Sequence, residues 1–285
     1  MPSAECSYLN LVLNMLSRLD MVKTGSSLSF NFFVRIVAPL GLSILAVAQP
    51  ASLPPPVDPP PDRPVSWKRL IPNILDDQKH IWTLPVRLVQ GHDLIPTASI
   101  LGVTGALVAA DAPAANYFRG TNSFHGFNNV FSSTATTIGT ILTPVSFYAA
   151  GLIRHDKKMQ ETALLAGEAL VDAEVVSTVL KSATRRLRPA DIPRTGNFSD
   201  NWYDSKGSAL RVAGSFPSGH TIAAFSVATI VARRYGSTHR WVPFVAYGVA
   251  GLVGVSRLSL SAHYLTDVFV GGALGYTISR YSVLR

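Results

Sequence analysis

The chain has 285 residues, 47% of them hydrophobic and 15% charged, with a formal net charge of +8. It is long enough for one substantial domain with appendages, more apolar than an average soluble domain and less apolar than a chain made wholly of spanning helices. A basic balance suits anionic substrates or anionic lipid surfaces, whereas the basic residues form no continuous tract interleaved with aromatics, which argues against nucleic acid as a partner. The single cysteine, Cys6, excludes an intrachain disulfide, and no thiolate metal site can be built from it.

Residues 1–20 read as a mixed stretch, and Met21 offers a second start. Lys23 and Arg35 precede an apolar run, Ile36 to Val47, that ends in Ala46-Val47-Ala48. A basic lead, a run of that length and small residues at its end resemble a secretory signal peptide over 21–48, within an N-terminal segment 1–48. An uncleaved anchor over Phe30 to Ala48 is the alternative. Residues 49–64 hold eight prolines and read as a stiff, extended linker. The remainder, 65–285, reads as one domain.

Trp67, Leu70, Ile71, Ile74 and Leu75 recur at helical spacing, with Lys68, Arg69, Asp76 and Asp77 off that face. The expectation is a helix packing this apolar face on its own domain; a membrane-surface helix is the alternative. Six apolar helical segments follow, roughly Ile95–Ala110, Ala135–Ile153, Thr162–Leu180, Thr221–Tyr235, Val242–Val255 and Tyr264–Leu284. Between them, 111–129 and 191–215 read as loops, the second a lid or a crossover.

With the later motif-bearing ends placed outside, Arg154, Lys157, Lys158, Arg233, Arg234, Arg240 and Arg280 fall inside, as the positive-inside rule asks. Several segments are short for a span, and Glu168, Asp172 and Glu174 in the third are expensive in hydrocarbon. A cleaved leader also delivers residue 49 outside, whereas six spans ending this way must begin inside. The balance tilts to an exported, largely periplasmic bundle resting on a membrane, with an integral version beside it. Either way the site is extracytoplasmic.

Three blocks in the second half carry the chemistry. Lys181 and Arg188 are separated by six residues and closed by Pro189; Pro217-Ser218-Gly219-His220 opens an apolar helix; Ser256-Arg257 is followed at fixed spacing by His263 and Asp267. Ser218 fits an N-cap, its side-chain oxygen taking a first-turn N–H, and such a helix start suits a phosphate. His263 and Asp267, four apart, share a helical face, so the carboxylate can fix the ring's tautomer. Arg185 and Arg186, off the matched positions, read as solvated charges. Glu168 and Asp172 share a face, but no histidine stands at ligand spacing, so internal ion pairing is the reading rather than a metal.

Together these blocks resemble the signature of the type 2 phosphatidic acid phosphatase (PAP2) family, which also takes in bacterial acid phosphatases and vanadium haloperoxidases. The resemblance spans about Lys181 to Asp267 and implies an all-α fold, a bundle of about six core helices with the site at one end. It implies that His263 is the nucleophile forming a phosphohistidine, that Asp267 orients it, and that His220 is the general acid. Lys181, Arg188 and Arg257 would hold the phosphoryl oxygens, with the Ser218 hydroxyl and Gly219 amide completing the cradle. No metal or other cofactor is expected, vanadate entering only in the haloperoxidase alternative. A non-catalytic anion-binding envelope protein is a further alternative. The expected partner is a phosphorylated lipid or small phosphoester, the apolar bundle tilting toward lipids, with membrane association and no nucleic acid.

Overall fold

The computed structural model describes residues 63–285, apart from 194, 200 and 204–213. The expected signal peptide, Cys6 and nearly all of the proline-rich linker lie outside the described residues, as does the middle of the 191–215 loop. Among the described residues the regular elements are all helical. They are α1 (Leu70–Trp82), α2 (Leu84–Val89), α3 (Leu94–Gly120), α4 (His125–Val130), α5 (Ser133–Ile153), α6 (Lys157–Thr184), α7 (Gly219–Tyr235), α8 (Val242–Ser259) and α9 (Leu265–Thr277), the last continued by a π-helical turn, Ile278–Val283.

Local chemistry sets several of these boundaries. The Ser132 hydroxyl accepts from the Ala135 N–H (3.2 Å) to open α5, and the Asp156 carboxylate accepts from Met159 N–H (3.1 Å) to open α6. α6 stops where Arg185 turns left-handed, at φ 42°. The chain then runs non-helical into Arg188, held extended (φ −80°, ψ 150°) ahead of Pro189.

α7 is the central helix and packs on α5, α6, α8 and α9. Leu165, Ala169 and Val176 of α6 meet Ile222 and Ile230 of α7, with Ile278 and Val283 closing the cluster. Against α9 the approach is main chain to main chain: a Cβ added at Gly271 would lie 2.9 Å from the Ser218 carbonyl oxygen. Only glycine permits that contact.

The six expected segments correspond to α3, α5, α6, α7, α8 and α9 with its π turn. One boundary is corrected. α3 continues ten residues past the expected end at Ala110, through Pro113 to Gly120. Asp111 read as the start of a solvated loop, yet it is buried and hydrogen-bonded inside the bundle.

α1 reverses an expectation. Much of its apolar face looks outward, with Ile71 68% and Leu75 66% exposed and Trp67, in the turn just ahead of it, 62%, while Asp77 is fully buried. The cause lies on α6, where Glu168 and Asp172 face α1 and bond to Asn73 and Gln78. Leu70 and Ile74 are half-buried, and buried carboxylates need polar partners more than the other three apolar side chains need cover.

Three helices, α3, α5 and α8, are long and apolar enough to cross a membrane. Much of their apolar surface looks outward, as at Leu101, Ile141, Val145 and Val249.

Candidate functional site

The three sequence blocks meet at one end of the bundle. Lys181 is in the last turn of α6, Arg188 on the extended run after it, Ser218 to His220 at the start of α7, Arg257 near the end of α8, and Asp267 in the first turn of α9. His263 lies in the turn joining α8 to α9. The Ser218 N–H donates to the Asp267 carbonyl (3.0 Å), and the His263 N–H to the Arg257 carbonyl (3.2 Å). A Cβ at Gly219 would stand 3.0 Å from Lys181 Nζ and 3.3 Å from Ser177 Oγ, so the missing side chain is what lets that ammonium lie over the helix start.

His263 is buried, and its Nδ1 lies 2.7 Å from the Ser215 carbonyl oxygen. A carbonyl can only accept, so Nδ1 carries the proton and Nε2 keeps its lone pair. Asp267 Oδ2 stands farther from Nδ1, at 3.5 Å. Burial lowers the imidazole's pKa, the neighbouring Asp267 opposes that, and the charges of Arg188 and Lys181 add to it. The ring is therefore held neutral, with one nitrogen free.

Asp267 is itself fully occupied. Its Oδ2 accepts from the Ser215 hydroxyl and, at 2.8 Å, from the Tyr264 N–H, while its Oδ1 accepts from Arg186 Nη1 at 2.7 Å. Arg186 is buried and also donates to Asp111 (2.7 Å), Thr266 Oγ1 (2.7 Å) and Asn201 Oδ1 (2.9 Å). Its guanidinium lies between the Tyr264 and Trp202 rings, 3.9 and 4.3 Å from their centroids. The expectation that Arg186 is a solvated charge is thereby corrected; Arg185 beside it is exposed.

With Arg186 taking Asp111 and Asp267, no carboxylate among the described residues lies within ion-pair distance of Lys181, Arg188 or Arg257. Arg257 is held by neutral groups only: the Ser133 hydroxyl (3.0 Å), the Phe131 carbonyl (2.8 Å) and the Ser256 hydroxyl (2.7 Å). Arg188 Nε is buried without a hydrogen-bond partner. Three cations beside a helix N-terminus, none ion-paired with a carboxylate among the described residues, form a site short of an anion.

Ser218 holds the N-cap position but does not cap with its side chain, contrary to expectation. Its hydroxyl instead accepts from Thr221 Oγ1 at 2.8 Å. The first-turn amides of α7 thus stay unclaimed by that oxygen. His220 turns Nε2 toward α5, 2.9 Å from Thr137 Oγ1 and 3.3 Å from the Ser133 carbonyl. Burial, reinforced by the Arg257 charge, pushes its pKa down to about 4, with smaller contributions from His263 and Lys181. The two imidazoles thus share one electrostatic neighbourhood.

Sequence reading missed Arg186, Asp111, Ser215 and the α5 start at Ser133. Arg186 had a signal: two residues before Arg188 in an extended run, it shares a side of the chain with it. Ser215 acts on His263 through a main-chain atom, which no residue type announces. Elsewhere, Glu168 pairs with Arg63, as an internal ion-pair role would have it. Among the described residues no group of three or more His, Cys, Asp or Glu side chains is placed to hold a metal ion.

Fold and site together define an α-helical protein with a cationic cradle facing a tautomer-fixed histidine. Residues 160–284 match the family model of the PAP2 superfamily, the family that the three sequence blocks resemble. Among curated proteins, the chain is 41% identical over 66 residues to lipid A 1-phosphatase of Porphyromonas gingivalis, covering 23% of this chain and 15% of that one. It is 40% identical over 108 residues to phosphatidylglycerophosphatase B of Bacillus subtilis, covering 35% and 46%. The matched part thus spans less than half the length of either relative. Among solved structures, a transmembrane PAP2 type phosphatidylglycerolphosphate phosphatase from Bacillus subtilis aligns with 75% of this chain and 92% of its own, at 21% identity and a TM-score of 0.38. Aquifex aeolicus LpxE aligns with 64% and 93%, at 23% identity and the same TM-score of 0.38.

Proposed function

We propose that the chain is a metal-independent phosphatase that removes phosphate from lipid esters through a phosphohistidine, at a site facing out of the cell-envelope membrane. The observation that carries this is the pairing of Nε2 of His263, left free by the Ser215 carbonyl, with three cations that are not ion-paired among the described residues. Lys181, Arg188 and Arg257 hold the equatorial oxygens of the phosphoryl group, with the α7 amides beside Gly219 and the Ser218 hydroxyl. His263 Nε2 attacks phosphorus as the bond to the ester oxygen breaks, and His220 protonates that oxygen through the ring nitrogen that α5 does not engage. Water, deprotonated by His220, then attacks phosphorus and releases the histidine and inorganic phosphate. Asp267 steadies the imidazolium formed on the way.

Lipid is favoured over a soluble ester by the outward apolar faces of α3, α5 and α8, and by the substrates named in both curated relatives. Those three helices also shift the balance from a periplasmic bundle toward an integral one. The opposite end from the site carries Arg154, Lys157, Lys158, Arg233 and Arg240, which suits a cytoplasmic side. The test is phosphate release from phosphatidic acid and phosphatidylglycerophosphate in mixed micelles containing EDTA. Turnover that persists with chelator and vanishes in His263→Ala is expected. Halide oxidation dependent on added vanadate, with no phosphate released, would replace this reading by a haloperoxidase. Activity unchanged in His263→Ala would remove the phosphohistidine.

A further inference from the structure

α1 is an amphipathic helix built inside out, and its inner face explains why. Arg63 donates to Asp77 with both guanidinium nitrogens (2.7 Å each) and also pairs with Glu168. Asn73 donates to Glu168 Oε1 (3.0 Å) and Gln78 to Asp172 Oδ1 (2.8 Å). Glu168 and Asp172 are fully buried under this cover. Without it, the middle of α6 would turn two carboxylates outward beside α5, one of the apolar helices long enough to cross a membrane. Carboxylates facing hydrocarbon are expensive.

We propose that α1 is seated in the lipid bilayer, laying Trp67, Ile71 and Leu75 against acyl chains while its polar side screens Glu168 and Asp172. This rests on the reading that α3, α5 and α8 cross the membrane. Lipid is the occupant for three reasons. The exposed face is continuous with that of a spanning helix, since the Trp67 indole N–H donates to the Tyr148 hydroxyl of α5 at 2.6 Å and the two rings meet edge to face. Lys68 flanks the apolar patch and Lys79 follows it one turn on, both exposed, and long basic side chains on such a face extend it with their stems while their ammonium groups reach for phosphate headgroups. The length also suits: thirteen residues make about 20 Å of helix, too short for the ~30 Å hydrocarbon layer. α1 is therefore held beside the bundle within the bilayer and does not cross it.

Nitroxide labels on single cysteines test this in the full chain carrying Cys6→Ser. The variants are Ile71→Cys and Leu75→Cys on α1, Val145→Cys and Val249→Cys on the spanning helices, and Arg154→Cys as a water reference. Each is reconstituted into phosphatidylethanolamine–phosphatidylglycerol vesicles, and relaxation by oxygen is compared with relaxation by a soluble nickel chelate. Labels at 71 and 75 are expected to favour oxygen over nickel at least tenfold more than the label at 154, as those at 145 and 249 do. Nickel access at 71 and 75, with 145 and 249 still lipid-exposed, overturns the proposal and leaves the spanning reading intact. Nickel access at all four removes both. Exclusion of both relaxants at 71 and 75 also overturns it, since another protein segment then covers the face.

Discussion

His263 owes its tautomer to the main chain. Where a carboxylate alone sets the tautomer of a catalytic histidine, replacing it with the amide lets the ring flip and costs about 10⁴-fold in turnover, as in serine proteases. Here the Ser215 carbonyl, 2.7 Å from Nδ1, holds the proton in place whatever stands at 267. Asp267→Asn is therefore expected to lower kcat only by about 10- to 100-fold, the usual cost of losing an orienting partner. A loss near 10⁴-fold would show that the carboxylate, not the carbonyl, fixes the ring. His220 yields a pH prediction. With its pKa pushed down to about 4, it is neutral at pH 7 in the empty site and cannot donate. A bound phosphate or vanadate is negative, favours the imidazolium and must raise that value. An NMR titration should show the His220 ring moving up by more than one unit when vanadate is added, and an unchanged midpoint would remove it as the proton donor. What the sequence revealed at this scale were side chains in fixed spacing. It hid partners acting through main-chain atoms, and it misjudged Ser218, whose hydroxyl had a local competitor in Thr221.

At the scale of elements, one buried guanidinium ties three of them together. Arg186, just past α6, joins Asp111 of α3 to Asp267 and Thr266 of α9. Removing one partner of such a cluster strands the others in a site from which water is excluded. Arg186→Met is thus expected to destabilise the fold by about 3–5 kcal/mol, read as a shift in denaturant or thermal unfolding in detergent. Asp111→Asn, which leaves Arg186 paired with Asp267, should cost less, and equal losses would show that the cluster does not act through the arginine. The extent of α3 was hidden for a related reason. An aspartate and a proline in close succession read locally as a helix end, yet a distant arginine makes the aspartate an interior residue. Tertiary pairing overrode the local signal there, as it did on α1.

For the molecule as a whole, hydrophobic segments were readily legible and their surroundings were not. Apolar runs of 14 to 21 residues mark helices whether they face a core or lipid, so the six segments could be placed without deciding where the bundle lives. The packing decides which faces are left over. On α3, α5 and α8 the leftover faces are apolar and outward, and α1 joins them. The protein is therefore expected to sediment with membranes and to remain there after an alkaline carbonate wash, released only by detergent. Recovery in the wash would return the balance to a periplasmic bundle. The acids of α6, which argued from sequence against a membrane, lose that force because α1 covers two of them.

The contact between Gly271 and the Ser218 carbonyl leaves no slack between α9, which carries Asp267, and α7, whose first turn borders the cationic cradle. Bare backbone gauges that spacing, so no side chain can be trimmed to bring the two helices into a different register. On the proposed function, preference among esters is then set on the rim that meets the rest of the substrate, where residues can change without disturbing that gauge.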